Sequence, residues 1–330
     1  MDYSTLAKRF KEYLSLYKRV TIISHKRPDG DTIGSALALY NSLKLDGITS
    51  ELICIDKPPI KYAFLKGFDR YKTKISYNDS LVITLDCAEL NRVGFKINNK
   101  DIINIDHHKS NANFGSLNIV EVEVSTTAVL FKLLKEGFSI NKDVATALYC
   151  GLISDSINFT TNLTTKETFI IANELLGYGV DIVEVSNRVN RFNSLAHVRV
   201  LARAIESLRL YKDGEVAIMI VTKSDIKATG ATYSDIDGVV DVAVSLATVE
   251  IAILIVELDD FIKVSLRSKD VDVSKIALHF GGGGHKGAAG FEVKNGKIEQ
   301  VRREILKELK VYKWEEEELD QAEEERVVFL

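Results

Sequence analysis

The chain has 330 residues, 46% hydrophobic and 27% charged, a balance that excludes a disordered or fibrous protein and, by length, suggests two domains. No uncharged apolar run approaches the ~18 residues that span a bilayer, so no membrane contact is expected. A net charge of −4 offers long nucleic acid no global attraction, since that affinity comes mainly from lysine and arginine contacts to phosphate. Charges every few residues through the first twenty positions exclude the apolar segment of a signal peptide. Cys54, Cys87 and Cys150 lie far apart in apolar runs with no C-x-x-C pair, the pattern of buried thiols in a reducing compartment. The expected location is the cytoplasm.

In chain order, RVTIIS (19–24) reads as a strand, followed by a D-G turn and a helix over 31–45. SELICI (50–55), LVITLD (81–86) and DIINID (101–106) repeat the strand type. Such runs, apolar throughout, suit strands buried on both faces of a parallel sheet. Interleaved helices, dominant over 125–178, then predict an α/β fold with a doubly wound, mainly parallel sheet over 1–185. An Arg-rich stretch over 186–210 reads as one linker helix. From 211 to 312 the pattern predicts a smaller α+β domain: strand EVAIMIVT, helix 234–248, strands IAILIVEL and FIKVSLR, a short helix to Phe280, a Gly-rich loop, strand FEV and a closing helix. Residues 313–330 form an acidic tail, read as a solvated face.

Chemistry-bearing residues of the first half collect where strands end. RVTIIS runs into His25, Asp29 and Asp31; LVITL into Asp86; DIINI into Asp106, His107 and His108. In doubly wound sheets ligands bind outside the carboxyl ends of the strands, so these clusters can share one crevice. Asp155 sits in the otherwise apolar run ALYCGLISDSINF, where a lone carboxylate would be costly. Singly, each has a bland reading: Asp29-Gly30 as a turn, Asp31 as a helix cap, His107 as a bonded core histidine. Together they point to a hard divalent ion such as manganese or magnesium. Four carboxylates balance two dications, and two ions about 3.5–4 Å apart would clamp an in-line phosphoryl displacement. A calcium loop is excluded because Ile33 and Tyr40 stand at ligand positions. In the second half, GGGGHKGAAG (281–290) matches a dinucleotide motif formally but is followed by a strand pattern where a helix should start. Its glycines instead suggest a backbone nest for phosphate at Gly282, Gly283 and Gly284, with His285 as a donor and Arg267 for two-point recognition. Side chains alternate along a strand, so His107 and His108 are expected on opposite sides.

These residues resemble the DHH phosphoesterase family, named for the Asp-His-His seen here at 106–108. SHKRPDGDTIGS, ITLDCAELNRVG, NIDHHKSN and GLISDSINF carry the likeness in the first half; DIDGVV, VSLRSK and GGGGHKGAAG are similar to the DHH-associated domain. The arrangement is like that of the nanoRNase branch, and the likeness stops before the tail. The resemblance implies two manganese ions per subunit, with magnesium or cobalt as substitutes. His25, Asp29 and Asp86 would hold one ion, and Asp31, Asp86, His107 and Asp155 the other, with Asp86 bridging. It implies a substrate-facing His108 and a nucleotide end gripped by Arg267 and the Gly-rich loop with His285. Arg92 and Asn111 also fit the family pattern, as further substrate-binding residues. The implied activity is a phosphodiesterase on very short oligonucleotides such as linear diadenylate. Alternatives are a 3'-phosphoadenosine 5'-phosphate phosphatase and a cyclic-di-AMP phosphodiesterase. Related proteins imply a homodimer.

Overall fold

The computed structural model of the chain describes residues 2–97 and 101–313. The chain divides into two compact units, 1–192 and 193–330. The acidic tail beyond 313 lies outside the described residues.

The first unit opens with α1 (Tyr3–Leu16), capped by the Asp2 side chain on the Thr5 amide. β1 (Val20–Ser24), α2 (Gly30–Leu45), β2 (Ser50–Ile53), β3 (Tyr71–Lys72), β4 (Leu81–Leu85), β5 (Ile102–Asp106) and β6 (Leu117–Val120) follow. The six strands form one parallel sheet in the order β3-β2-β1-β4-β5-β6. The order reverses between β1 and β4, so the ends of these two strands border the switch-point crevice. α3 (Thr126–Lys135), α4 (Lys142–Asp155), α5 (Lys166–Leu176) and α6 (Ile182–Asn190) complete the unit.

The uninterrupted apolar strands are explained by burial on both faces. Val20, Ile22, Leu52, Ile83, Leu85, Ile103 and Ile105 join one core with α1–α4. Ile23, Ile53, Val82 and Ile102 face a smaller core closed by loop residues such as Leu90, Phe95 and Phe114. Two glycines bring three helices together beneath the crevice. A Cβ at Gly34 would lie 2.5 Å from the Ala147 carbonyl oxygen, and one at Gly151 would lie 2.4 Å from Thr127 Cγ2 and 2.9 Å from Asp31 Oδ1. Those distances are shorter than any van der Waals contact, so α2 and α4 could not pack this closely with side chains there.

The second unit contains α7 (Leu195–Glu206), β7 (Arg209–Tyr211), β8 (Val216–Val221), α8 (Lys223–Thr229), α9 (Val239–Val244), β9 (Ile251–Glu257), β10 (Phe261–Ser268), α10 (Val273–His279), β11 (Gly283–His285), β12 (Ala288–Lys294) and α11 (Ile298–Lys313). Its sheet runs β11-β12-β10-β9-β8-β7, parallel only between β8 and β9. Val216, Ile253, Val264 and Leu266 pack with residues of α10 and α11 on one face; Ala217, Met219, Leu254 and Val256 pack with residues of α7 and α9 on the other.

Two local expectations are corrected. The segment read as one linker helix is α6 and α7, separated at 191–194, because the Ser194 side chain accepts the His197 amide and starts a new helix. The helix expected over 234–248 shrinks to α9, because Gly238 takes a left-handed conformation (φ 79°) immediately before it.

Candidate metal centre

Each strand end in the crevice contributes one part of the site. β1 delivers His25, which is buried, and its Nδ1 lies 2.7 Å from the Lys26 carbonyl oxygen. Asp29 caps α2 with Oδ1 on the Thr32 amide, while Oδ2 lies 3.9 Å from His25 Nε2. The cap and the site are thus served by different oxygens of one carboxylate. Asp31, in the first turn of α2, is buried against the start of α3. Its Oδ2 accepts the Thr126 amide at 2.6 Å, and its Oδ1 accepts the amide and hydroxyl of Thr127 at 3.0 and 2.8 Å. Ser125 caps α3, so Asp31 meets the positive end of a helix.

Asp86 follows β4 in a left-handed conformation (φ 57°), which is uncommon for a residue with a side chain and tolerated best by Asp and Asn. Its two oxygens look in different directions. Oδ2 accepts the Thr32 hydroxyl at 2.6 Å and lies 3.5 Å from His25 Nε2. Oδ1 accepts the Thr126 hydroxyl at 3.0 Å and lies 3.6 Å from His107 Nε2. His107 Nε2 in turn lies 3.3 Å from Oδ2 of Asp155, the last residue of α4, and its Nδ1 is 3.0 Å from the Glu123 carbonyl oxygen.

The expectation that His107 and His108 point to opposite sides is corrected. β5 ends at Asp106, so the two are outside the pleat, and their rings meet at 4.4 Å. His108 Nδ1 is bonded to Asp106 Oδ1 at 2.7 Å. Asn111, read as a substrate contact, is turned inward. Its amide nitrogen donates to Asn104 Oδ1 and Asp106 Oδ2, and its Oδ1 accepts the Asn113 amide. Arg92 is exposed on a 3-10 turn, 90–93, whose carbonyl at Arg92 accepts the Lys26 amide.

Three overlapping sets of ligand-type atoms result: His25, Asp29 and Asp86; Asp31, His107 and Asp155; and Asp86, His107 and His108. The donor chemistry fits divalent cations. His25 and His107 each turn Nδ1 onto a backbone carbonyl, which in the neutral ring favours Nδ1–H and leaves Nε2 as the metal-facing nitrogen, the usual arrangement of a metal-binding imidazole. His25 Nε2 also lies 2.5 Å from the Thr32 hydroxyl.

The charges are strongly coupled. Burial, then the Asp86 carboxylate, pushes Asp31 up to about 7. Burial, then Asp31 and Asp86, holds Asp155 well above the carboxylate range. Burial opposes charge on His25, His107 and His108, yet the carboxylates around them leave all three raised. Asp86 goes the other way: burial resists its ionisation, but the three histidines hold it far below the usual range. Five groups raised in the folded state favour folding at low pH and lose that contribution as pH rises through their folded values. The contribution of Asp86 has the opposite sign, but it is already complete above its ordinary value of 3.8. Protein stripped with a chelator should therefore melt at lower temperature at pH 8 than at pH 5. A melting temperature that rises over this interval would contradict the coupling.

In the second unit, Arg267 ends β10 and pairs in register with Ala288 of β12, which pairs with His285 of β11. Side chains paired in register share a face, so Arg267 and His285 stand on one face, about 10 Å apart at two strand spacings. Arg267 Nε donates to Asp241 Oδ1 at 2.7 Å, and Nη1 to its neighbour's carbonyl. The expected glycine nest is corrected in part. Gly281 (φ 77°) donates its amide to Leu278 O and Gly282 to Ala277 O, the two bonds that close the end of α10. Gly283 and Gly284 belong to β11, and a Cβ at Gly284 would lie 2.5 Å from the Ala288 carbonyl oxygen. The glycines at 282 and 284 admit a close-packed hairpin beneath His285.

Residues 19–152 match the DHH family, N-terminal domain, and residues 213–314 the DHHA1 domain. The bifunctional oligoribonuclease and PAP phosphatase NrnA of Thermus thermophilus is 32% identical over 292 residues, 87% of this chain and 88% of that protein. The cyclic-di-AMP phosphodiesterase PdeA of Listeria monocytogenes is 24% identical over 337 residues, 93% of this chain and 50% of that protein. The crystal structure of an exopolyphosphatase-related protein from Bacteroides fragilis matches with a TM-score of 0.86 and 26% identity, covering 93% of this chain and 97% of that one. The chain belongs to the DHH family and is a phosphoesterase. Among the described residues no helix is long and apolar enough to cross a membrane.

Proposed function

We propose that this chain is a manganese-dependent phosphodiesterase acting on very short oligonucleotides and releasing mononucleotides. The observation that carries the reading is Asp86, whose two oxygens face two separate ligand sets. His25, Asp29 and Asp86 would hold one ion, and Asp31, Asp86, His107 and Asp155 the second. When bound, the pair would supply Lewis-acid activation of the phosphoester and charge neutralisation. The chain's own residues do the rest. Thr32 and Thr126 fix the Asp86 carboxylate, and the start of α3 fixes Asp31, so the protein's own hydrogen bonds hold these acids in place. His108 presents its second nitrogen to the substrate phosphate or to the leaving oxygen, as hydrogen-bond or proton donor.

Arg267 and His285 give the second unit a face for the anionic end of a nucleotide. With Nε committed to Asp241, the guanidinium is held in one orientation and offers its remaining N–H groups to phosphate. NrnA of Thermus thermophilus is named for both oligoribonuclease and PAP phosphatase activity, so hydrolysis of phosphoadenosine phosphate is the second reading. Cyclic-di-AMP is the third, from the name of PdeA.

Turnover of linear diadenylate and of a 20-mer by the manganese-loaded chain tests the reading. The dinucleotide should be strongly preferred. Arg267→Ala should raise KM for it about ten- to a hundredfold, the cost of one charge-assisted contact, with a smaller effect on kcat. Equal rates on both lengths, with KM indifferent to the substitution, would sink the proposal.

A further inference from the structure

Asp106 opens the Asp-His-His run, yet the metal centre above gives it no part. Its carboxylate is fully buried at the end of β5. Oδ1 accepts from His108 Nδ1 at 2.7 Å and Oδ2 accepts from the Asn111 amide. Asn111 also donates to Asn104 Oδ1 at 2.8 Å, and the Asn104 amide donates to Thr84 Oγ1 and to the Cys87 carbonyl, both at 3.0 Å. The carboxylate is therefore braced through two neighbouring strands, β4 and β5.

The brace has something to resist. His108 Nδ1 lies 3.7 Å from Asp86 Oδ1, too long for a hydrogen bond but within reach of a modest ring rotation. Imidazole χ2 is broad, so packing alone defines the ring plane poorly. A ring that turned to Asp86 would compete for an oxygen of the metal centre and withdraw its other nitrogen from the substrate. A histidine ring bonded through Nδ1 leaves Nε2 as its working atom.

We propose that Asp106 is a positioning residue. It holds His108 by Nδ1, off Asp86, so that Nε2 meets the substrate phosphate, and Asn111 and Asn104 brace it from behind. The inference rests on the role given to His108 above.

A four-protein cycle on the full chain tests it: wild type, Asp106→Asn, His108→Gln and the double variant, with kcat, KM and bound manganese measured on linear diadenylate. Asp106→Asn keeps the shape, and with its carbonyl oxygen turned to the Asn111 amide it sets an NH2 donor against His108 Nδ1 in place of the carboxylate acceptor. It should lower kcat about a hundredfold or more, as loss of an orienting carboxylate behind a histidine does elsewhere, and leave KM and manganese content unchanged. In the His108→Gln background the same change should alter kcat by less than about threefold, because the two act as a unit. If the losses multiply instead, or manganese content falls with Asp106→Asn, Asp106 does not act through His108. Wild-type kcat in His108→Gln alone would overturn the role of His108 itself, a different failure. Should Asp106→Asn not fold, Asn111→Ser decides: a loss of about three- to tenfold that disappears in the His108→Gln background supports the brace, and one that persists there overturns it.

Discussion

Replacing Asp86 by alanine should lower kcat by more than about 10³-fold and weaken manganese binding at both sites together. The carboxylate has one oxygen facing each ligand set, His25 through Oδ2 and His107 through Oδ1. Its removal would leave each set one ligand short and the whole centre one negative charge short. Preorganised charge at a phosphoryl centre is worth factors of this size. Alanine carries a second penalty, because position 86 is left-handed and tolerates Asp or Asn better than other side chains. Asp86→Asn separates the two effects: it keeps shape and backbone tolerance while removing the charge. Activity should be lost in both variants, with melting temperature lowered more in the alanine one. Two undiminished manganese sites in either variant would show that Asp86 does not bridge.

The second large effect distinguishes the paired histidines. His107 has one nitrogen committed to the Glu123 carbonyl and the other among Asp86 and Asp155, so its role is in holding an ion. His107→Gln should lose manganese affinity and recover part of its activity at high manganese. His108 has Nδ1 committed to Asp106. His108→Gln should keep near-normal manganese content while kcat falls about 10²–10⁴-fold, the usual worth of a positioned proton donor. Metal content and kcat on the two folded variants decide, and rescue of His108→Gln by excess manganese would reverse the assignment.

Why so much of the centre was legible is a matter of locality. An apolar β-branched run that stops at an acid or histidine is visible in six residues, and the parallel sheet brings such ends together. His25, Asp86 and His107 meet for that reason, with Asp86 oxygens 3.5 and 3.6 Å from the two Nε2 atoms. Asp31 joins from the first turn of α2 and Asp155 from the end of α4, 3.3 Å from His107 Nε2. The residues that hold them were not legible. Thr32, Thr126 and Thr127 act through bonds spanning 40 to 96 positions, which no local pattern encodes. One signal was present: Val-Ser-Thr-Thr before an apolar helix marks a capped helix start, and such starts attract carboxylates. Asp241, which holds Arg267 from α9, had no such signal.

Where the sequence misled, one pattern had two physical solutions. Consecutive glycines form an anion nest or close a helix end, and Gly281 and Gly282 do the second because Ala277 and Leu278 leave carbonyls to be satisfied. Asn111 looked like a ligand contact, yet the buried Asp106 needs its amide. The linker read as one helix contains Ser194, whose side chain caps a new helix sooner than it continues an old one.

Calorimetric titration of the chelator-stripped full chain with manganese tests the two-metal centre most directly. Two ions per chain should bind, with protons released as His25, His107, Asp31 and Asp155 give up theirs, and phosphodiesterase activity should appear only as the second site fills. Full activity at one ion per chain, or saturation at a single ion, would contradict it.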